Sequence, residues 1–425
     1  MHAGIRAGPE AQKFLSEFDL YKHDPYAVNC PGMQFINQKS DYGRFVKFPM
    51  KQTSWTMLYY RLRANFDGLV SKHCPAPLEL ASEAGSAKYD LGKRVLGLTE
   101  DGSQVQVQYR DVATEEIKTV QADLVIGADG SYSAIRRIFR PASEREDRPY
   151  AGYLAWRGGV LESEITQATR DVLKNNFTVF KMPKNYILVL SYAIPGHDGS
   201  LELGNRILNF VWYHNCPENS EFRIVMTDIS GQTHRSTLQP GMLRPEVWEQ
   251  QVKFAQANFP APFIELVEKT SQPFVAAVSD NTCDRATFMN GKVILVGDAL
   301  ALFRPHIALS ANQAAYDCLE LQKVLKVWRL EVDQECSRVC PVAVETGNVE
   351  LGAMVDAVLT SAHCVFLKKV PLIKDTVVEV GAAFQSSTST LCSCDELENQ
   401  IVPPTALEKR DQGRPAGIIL ISISV

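Results

Sequence analysis

Leu124-Val125-Ile126-Gly127-Ala128-Asp129-Gly130-Ser131-Tyr132-Ser133-Ala134-Ile135-Arg136 is the stretch on which the fold of this chain turns. The near-continuous apolar run at its start is typical of a strand buried on both faces of a sheet. The run ends in Gly-Ala-Asp-Gly, and a helix is expected from about Ser133. Glycines there let the backbone turn sharply and come close to a ligand. The new helix N-terminus offers unpaired N–H groups to an anion. The Asp129 carboxylate can accept hydrogen bonds from ribose or ribityl hydroxyls, or hold the loop by capping backbone amides. Taken alone, the stretch is equally an ordinary strand-loop-helix with an aspartate cap.

A second stretch of the same design follows about 170 residues later. Val293-Ile294-Leu295-Val296 is again a buried apolar run, and it ends in Gly297-Asp298-Ala299. That puts a carboxylate at the carboxyl end of a strand, the edge at which open α/β sheets bind ligands. Arg304-Pro305-His306 comes next, then Ser310-Ala311-Asn312-Gln313-Ala314-Ala315-Tyr316-Asp317. Small residues at Ala308, Ala311, Ala314 and Ala315 allow the helix expected over 309–328 to pack close to a flat ring or to the sheet. Its dipole favours negative charge at its start. Core spacing explains each alanine singly; the two Gly-Asp corners together are far more specific than either.

The surrounding sequence reads as α/β. Short helices are expected over Pro9–Phe18, with proline in the first turn, and Thr56–Phe66, with Thr53 or Ser54 as cap. Weak alternation from Met33 to Met50 predicts irregular strand. A hairpin is expected around Asp101-Gly102, between Val95–Leu98 and Val105–Tyr109, and a short strand over 117–120. The span 150–280 is rich in strands (Tyr153–Arg157, Tyr186–Tyr192 and Ile207–Tyr213), with helices near 244–258 and 263–270. The final stretch, Gly417–Val425, reads as a β-prone tail or as a misread terminus.

Of the 425 residues, 45% are hydrophobic, enough for a large core and too many for a disordered chain. A net charge of −5, from 44 basic and 49 acidic side chains, argues against a nucleic-acid partner. Ten scattered cysteines do not make a disulfide scaffold, and the close pair Cys392 and Cys394 lacks neighbouring His or Cys, so no metal site is expected. No signal-like or membrane-spanning apolar run occurs, which predicts a soluble, cytoplasmic protein.

Gly127-Ala128-Asp129-Gly130 with Ser133 and Arg136, joined by Gly297-Asp298-Ala299, resembles the paired motifs of the flavin-dependent aromatic hydroxylases. These are the group A monooxygenases with the p-hydroxybenzoate hydroxylase fold. Tyr150-Ala151-Gly152-Tyr153-Leu154-Ala155-Trp156-Arg157-Gly158, Leu208–Tyr213 and Arg304-Pro305-His306 are similar to the branch containing 2,6-dihydroxypyridine 3-monooxygenase. Ser54-Trp55 with Leu58, Tyr59 and Arg61 fits the same branch, and the similarity runs from about Gly4 to Trp328.

The resemblance implies an α/β fold with a discontinuous Rossmann-like FAD-binding domain (1–32, 51–149 and 281–335). A β-rich substrate domain (33–50 and 150–280) interleaves with it, and a helical segment and tail (336–425) follow. It implies FAD as cofactor, NAD(P)H and O2 as cosubstrates, and a small aromatic or heteroaromatic substrate from a catabolic or secondary-metabolite pathway. By the same resemblance Asp298, after Gly297, holds the ribityl chain, and Asp129 with Gly130 lies near the pyrophosphate and the nicotinamide path. Arg61 is then a candidate for the FAD phosphates and Pro305 for the flavin ring.

His306 is a candidate to relay a proton from a phenol-like substrate, although a lone His after Pro is also a common structural residue. Tyr153, Trp156 and Tyr213 are candidates to stack on the substrate, but side chains alternate along strands, so half of such residues face ordinary core. Arg157 either holds a substrate carboxylate or faces solvent.

The front of the sequence departs from the family. Members open with a strand and a Gly-x-Gly-x-x-Gly turn, followed about 20 residues on by an acidic residue. No such turn occurs here, and Gly4–Pro9 resembles the segment just after that acidic residue. One opening βαβ unit, about 30 residues, is therefore expected to be missing. A parallel sheet without its central strand would expose apolar edges, and the pyrophosphate would lose its helix N-terminus. An active hydroxylase thus stands against a truncated or degenerate flavoprotein without activity, with another flavin oxidation such as Baeyer–Villiger insertion as a third possibility. Smaller departures are Ser310, where the family often has Gly, and Trp55, where many relatives carry Arg.

Overall fold

The computed structural model of the chain describes residues 3–22, 24–75, 88–141, 149–182, 187–218, 220–336 and 418–422. In chain order the first elements are β1 (Gly4–Ala7), α1 (Pro9–Phe18), β2 (Val28–Ile36), β3 (Tyr42–Ser54) and α2 (Trp55–Asp67). There follow β4 (Lys93–Asp101), β5 (Gln104–Asp111), β6 (Ile117–Ala122), β7 (Leu124–Ala128) and α3 (Ala134–Phe139). The middle holds β8 (Tyr150–Leu161), α4 (Gln167–Leu173), β9 (Phe177–Met182), β10 (Ile187–Ile194), β11 (Ile207–Asn215) and α5 (Ser220–Met226). Then come β12 (Thr237–Leu238), α6 (Pro245–Asn258), α7 (Ala261–Lys269) and β13 (Phe274–Ser279). The last are β14 (Asn281–Thr282), β15 (Thr287–Phe288), β16 (Val293–Leu295), β17 (Ala301–Leu302), α8 (Ser310–Cys336) and β18 (Ile418–Ser422).

The chain forms two compact units. One comprises Met1–Tyr89, Pro149–Ser279 and Arg304–Asn312; the other comprises Asp90–Arg148, Asp280–Phe303 and Gln313–Val425. The first is built on a nine-stranded sheet in the order β1-β3-β2-β9-β10-β11-β8-β13-β12, antiparallel except where β2 runs parallel to β9. Strand periodicity sorts its residues. Leu154, Trp156, Leu208, Phe210 and Trp212 face a core completed by Phe259, Phe263 and Leu266 from the α6–α7 region. Tyr153, Arg157 and Tyr213 lie on the opposite face, because they are offset by an odd number of residues from that set.

The stretch 33–50 is irregular strand, as expected, and falls in β2 and β3 on either side of residues 37–41. Register shifts between Cys30 and Gly32 and between Phe35 and Ile36 break its period-two pattern. The two units do not follow the expected domain bounds. Residues 1–32 and 51–67 extend the β-rich sheet, because β3 pairs with β1 through Lys51–Ser54 and with β2 along most of its length. Elsewhere expectation and structure agree closely, at α1, at the β4–β5 hairpin, and at α6 and α7. The N-terminus of α1 has no side chain of its own at Gly8; Asn312 Oδ1 caps it from afar, accepting the Glu10 N–H at 2.9 Å.

The second unit contains the sheet β15-β16-β7-β18, in which β7 runs parallel to both β16 and β18, and the antiparallel meander β4-β5-β6. Val105, Val107, Leu124, Val125, Ile135, Val293, Ile294 and Leu295 share its core. No helix among the described residues is long and apolar enough to cross a membrane.

Ser54 closes the first turn of α2, its Oγ accepting the Met57 N–H at 3.1 Å. Ser54→Ala removes a buried cap and is expected to lower stability by about 1 kcal/mol, whereas Ser54→Asp keeps most of it. Urea unfolding of the two variants checks this.

Candidate functional site

The two Gly-Asp corners sit at the carboxyl ends of neighbouring parallel strands, with Leu295 of β16 level with Gly127 of β7. Asp129 is buried. Its Oδ2 accepts the Ala134 and Ile135 N–H groups at 2.6 and 3.1 Å, so the aspartate does cap the following helix. Its Oδ1 is buried with no hydrogen-bond partner among the described residues. An ionised oxygen left so is costly unless a donor reaches it. Beside it Gly130 has φ +70°, and open space lies where a side chain would be.

Arg136 joins the corners. The side chain is 1% exposed; it donates from Nη1 to the carbonyls of Asp298 (3.1 Å) and Ala299 (2.7 Å), and from Nη2 to that of Ser131 (2.7 Å). Its backbone N–H is held by Ser133 Oγ at 2.9 Å. The fixed fork of a guanidinium suits it to hold several carbonyls at set angles. Sequence reading treated Arg136 only as part of a motif and assigned it no task.

Asp317 is the other residue that sequence reading passed over. It is fully buried, its Oδ2 accepting the Gly297 N–H at 2.7 Å and its Oδ1 the Gln313 Nε2–H at 2.6 Å. Burial pushes its pKa up to about 7, overriding both hydrogen bonds, which favour the charged form, and aided by the nearby charge of Asp298. Gly297 has φ +59°, and an added Cβ would stand 3.3 Å from Ala314 Cβ, so close packing of the small-residue helix face is realised here. Asp298 is half-buried at the corner itself. An unsatisfied buried carboxylate oxygen, an open left-handed glycine next to it and a second carboxylate at the end of the neighbouring strand fit the hydroxyl-bearing chain of a dinucleotide cofactor.

The other unit holds a polar aromatic cluster on the face opposite the core. The Tyr153 hydroxyl lies 3.2 Å from His306 Nδ1, and the Tyr213 ring lies 6.1 Å from that of Tyr153 and 6.2 Å from that of His306. Pro305 opens the short turn that presents His306. Burial raises the pKa of Tyr213 and of neighbouring Tyr192, while the positive charge of Arg157 acts in the opposite direction on both. Arg157 is half-buried on this face and makes no hydrogen bond or ion pair with any described residue. A cation so placed among phenols attracts an anion.

Two expected site residues have other work. Trp156 is fully buried in the core with Trp212 and Trp248, and its Nε1–H donates to His214 Nδ1 at 3.0 Å; strand alternation turns it away from Tyr153. Arg61 is 2% exposed with no ligand present. It pairs with Asp19 at 2.5 Å and donates to the carbonyls of Tyr21 and Asp24, so it locks the segment after α1 and is sealed from any phosphate. His214, Cys216 and Glu221 bring ligand-type atoms within 4.8 Å of one another. The hydrogen from Trp156 occupies His214 Nδ1 and places the imidazole proton on Nε2, which leaves no nitrogen lone pair for a metal. Cys392 and Cys394 lie outside the described residues.

Residues 75–170 match the family described as FAD binding domain, and residues 150–280 match one described as FAD binding domain-like. The chain is similar in sequence to curated proteins. It is 31% identical over 240 residues to 2,6-dihydroxypyridine 3-monooxygenase of Paenarthrobacter nicotinovorans, covering 56% of each chain. It is 23% identical over 315 residues to salicylate hydroxylase asL1 of Sarocladium schorii, covering 70% of this chain and 57% of the relative. The chain thus spans a little over half the length of these curated relatives. The structure of 2,6-dihydroxypyridine-3-hydroxylase from Arthrobacter nicotinovorans is similar with a TM-score of 0.66 and 25% identity, over 87% of this chain and 81% of that one. Klebsiella pneumoniae HpxO, solved with FAD and uric acid, shares the fold at a TM-score of 0.58 and 18% identity, over 91% and 82%.

Two variants test these assignments. The Asp317 carboxyl has a higher pKa folded than unfolded, so the folded state binds the extra proton between about pH 4 and 7, and stability falls as pH rises through that window by up to about 4 kcal/mol. Asp317→Asn is expected to flatten that part of the profile, measured by urea unfolding at pH 5 and 7.5. Asp19→Ala strands a buried guanidinium and is expected to lower stability by about 3–5 kcal/mol. The Asp19→Leu, Arg61→Met pair should recover most of that loss in the same assay.

Proposed function

We propose that the chain is an FAD- and NAD(P)H-dependent monooxygenase that hydroxylates a small aromatic or heteroaromatic compound with O2. The observation that carries this reading is the pair of acidic corners on adjacent parallel strands, fastened by Arg136, with a buried Asp129 oxygen awaiting a donor. Bound there, FAD would supply the redox chemistry: reduction by NAD(P)H, activation of oxygen and its delivery to an electron-rich ring. The protein's contribution is to bind, orient and shield. Asp298 would accept from ribityl hydroxyls, Asp129 Oδ1 would accept from a further hydroxyl, and the open space at Gly130 would leave room for the chain to pass. The names of the relatives, a dihydroxypyridine monooxygenase and a salicylate hydroxylase, support an aromatic substrate.

The Tyr153, Tyr213 and His306 cluster is the site we assign to the substrate ring. A ring hydroxyl hydrogen-bonded to Tyr153 can pass its proton through that phenol to His306 Nδ1, 3.2 Å away. Loss of the proton enriches the ring in electrons, which is what oxygen insertion needs. Arg157 supplies the positive charge that favours the deprotonated ring or holds a substrate carboxylate. A diffusible aromatic metabolite suits a cytoplasmic enzyme, and the reading needs neither a membrane nor a nucleic acid.

Purification with added FAD, desalting and a visible spectrum test the reading directly: a folded, colourless protein would refute it. Asp298→Ala is expected to weaken flavin retention about tenfold or more, the loss of a hydrogen bond to a charged group, while His306→Ala leaves retention nearly unchanged. Equal retention in the two variants would overturn the assignment of Asp298. His306→Gln should instead remove the acidic limb of the pH profile for substrate-stimulated NAD(P)H oxidation.

A further inference from the structure

The backbone of the second corner is held from outside at three consecutive residues. Asp317 Oδ2 accepts the Gly297 N–H at 2.7 Å, and Arg136 donates to the carbonyls of Asp298 and Ala299. The Gly297 carbonyl accepts the Leu300 N–H at 2.9 Å. With φ at +59° and Ala314 Cβ 3.3 Å from where a side chain would stand, Gly297 has little room to adjust. A change in the grip of Asp317 therefore reaches the backbone that carries Asp298.

The guanidinium contacts stay constant across the working pH range, but the carboxyl contact cannot. Ionised, Asp317 accepts from both Gly297 and Gln313 with charged oxygens. Protonated on Oδ1, it has a hydrogen to donate, and the Gln313 amide must turn over to offer Oε1. The carbonyl oxygen that remains holds the Gly297 N–H as a neutral acceptor, roughly half as strongly. Asp317 and Gln313 are both buried, so the change is made between them rather than with bulk water. From the corner, Asp298 faces Asp317, and its charge adds to burial in placing the transition at about pH 7. On the same helix the Cys318 thiol, pushed up to about 11 by burial and by the Asp317 charge, stays neutral through that range. Asp129 brings a further carboxylate to the end of the neighbouring strand. Ionised carboxylates and a pyrophosphate in one partly buried corner repel each other where screening by water is weak. We propose that Asp317 is a positioning residue that couples cofactor binding at this corner to the uptake of one proton from solvent: its neutral form admits the phosphate charges of FAD, and its ionised form opposes them. The ligand is the one inferred above, whereas the coupling of Asp317 to Gly297 stands on the hydrogen bonds alone.

Titration of the apoprotein with FAD, followed by flavin fluorescence at pH 6 and pH 8.5, tests this together with the amide resonance of Gly297. The native chain is expected to bind FAD about tenfold more tightly at pH 6, and the apoprotein Gly297 N–H should shift with a midpoint at about pH 7. Asp317→Asn keeps the size of the side chain and matches the neutral acid, with an acceptor for Gly297 and a donor for Gln313. It should bind FAD at both pH values as the native chain does at pH 6, and its Gly297 resonance should stay still. A merely structural Asp317 would instead give an affinity loss that is equal at both pH values. That outcome, a pH dependence of affinity that survives in Asp317→Asn, or a native Gly297 resonance that does not titrate would each overturn the proposal. Should Asp317→Asn fail to fold, Gln313→Ala serves instead. Loss of the amide that favours the charged form should raise the Gly297 midpoint by about half a pH unit or more, and an unmoved midpoint would sink the idea. Failure to bind FAD at either pH refutes the flavin reading and, with it, the coupling to the cofactor. The apoprotein titration of Gly297 then still decides whether Asp317 switches the corner.

Discussion

One guanidinium holds the two Gly-Asp corners in shape. Arg136 reaches from the start of α3 to three carbonyls, one on its own loop and two on the loop after β16. A lysine could not replace it, because a point charge fixes no angles between three acceptors.

Buried charge recurs in this protein as a way of fixing backbone. Arg61 with Asp19 secures the turn after α1, Arg206 with Glu162 secures the loop before β11, and Asp317 secures Gly297. The first two are ion pairs sealed from water, where removal of one partner hurts far more than the pair contributes. Asp317 differs: it holds the corner by accepting from a backbone N–H and an amide, and burial moves its titration into the physiological range. The backbone of the second corner is therefore tied to a group that changes charge near neutrality, beside another carboxylate.

The nine-stranded sheet separates two tasks by alternation. One face is a dense indole and phenyl core against α6 and α7; the other presents phenols, an imidazole and an arginine with no counter-ion among the described residues. Residues three apart, Tyr153 and Trp156, thus serve opposite faces. Polar aromatic groups are kept off the core because each buried hydroxyl needs a partner, and His306 supplies one for Tyr153.

Local sequence alone determined the apolar strands leading into Gly127 and Gly297, the helix starts near Ser54 and Ser133, the hairpin at Asp101-Gly102 and the two acidic corners, because each rests on a contiguous pattern of polarity or backbone preference. What the pattern cannot carry is pairing between distant segments. Whether an arginine meets a phosphate or an aspartate, as with Arg61, depends on which side chains the fold brings near, and whether an aromatic on a strand faces substrate or core depends on which face the helices cover. Tertiary structure likewise decided that Asn312 caps α1, that β1 and β3 join the β-rich sheet, and that residues 418–422 lie beside β7. These are contacts over tens to hundreds of residues, set by the need of every buried edge and charge to find a partner, and a linear reading does not encode who that partner is.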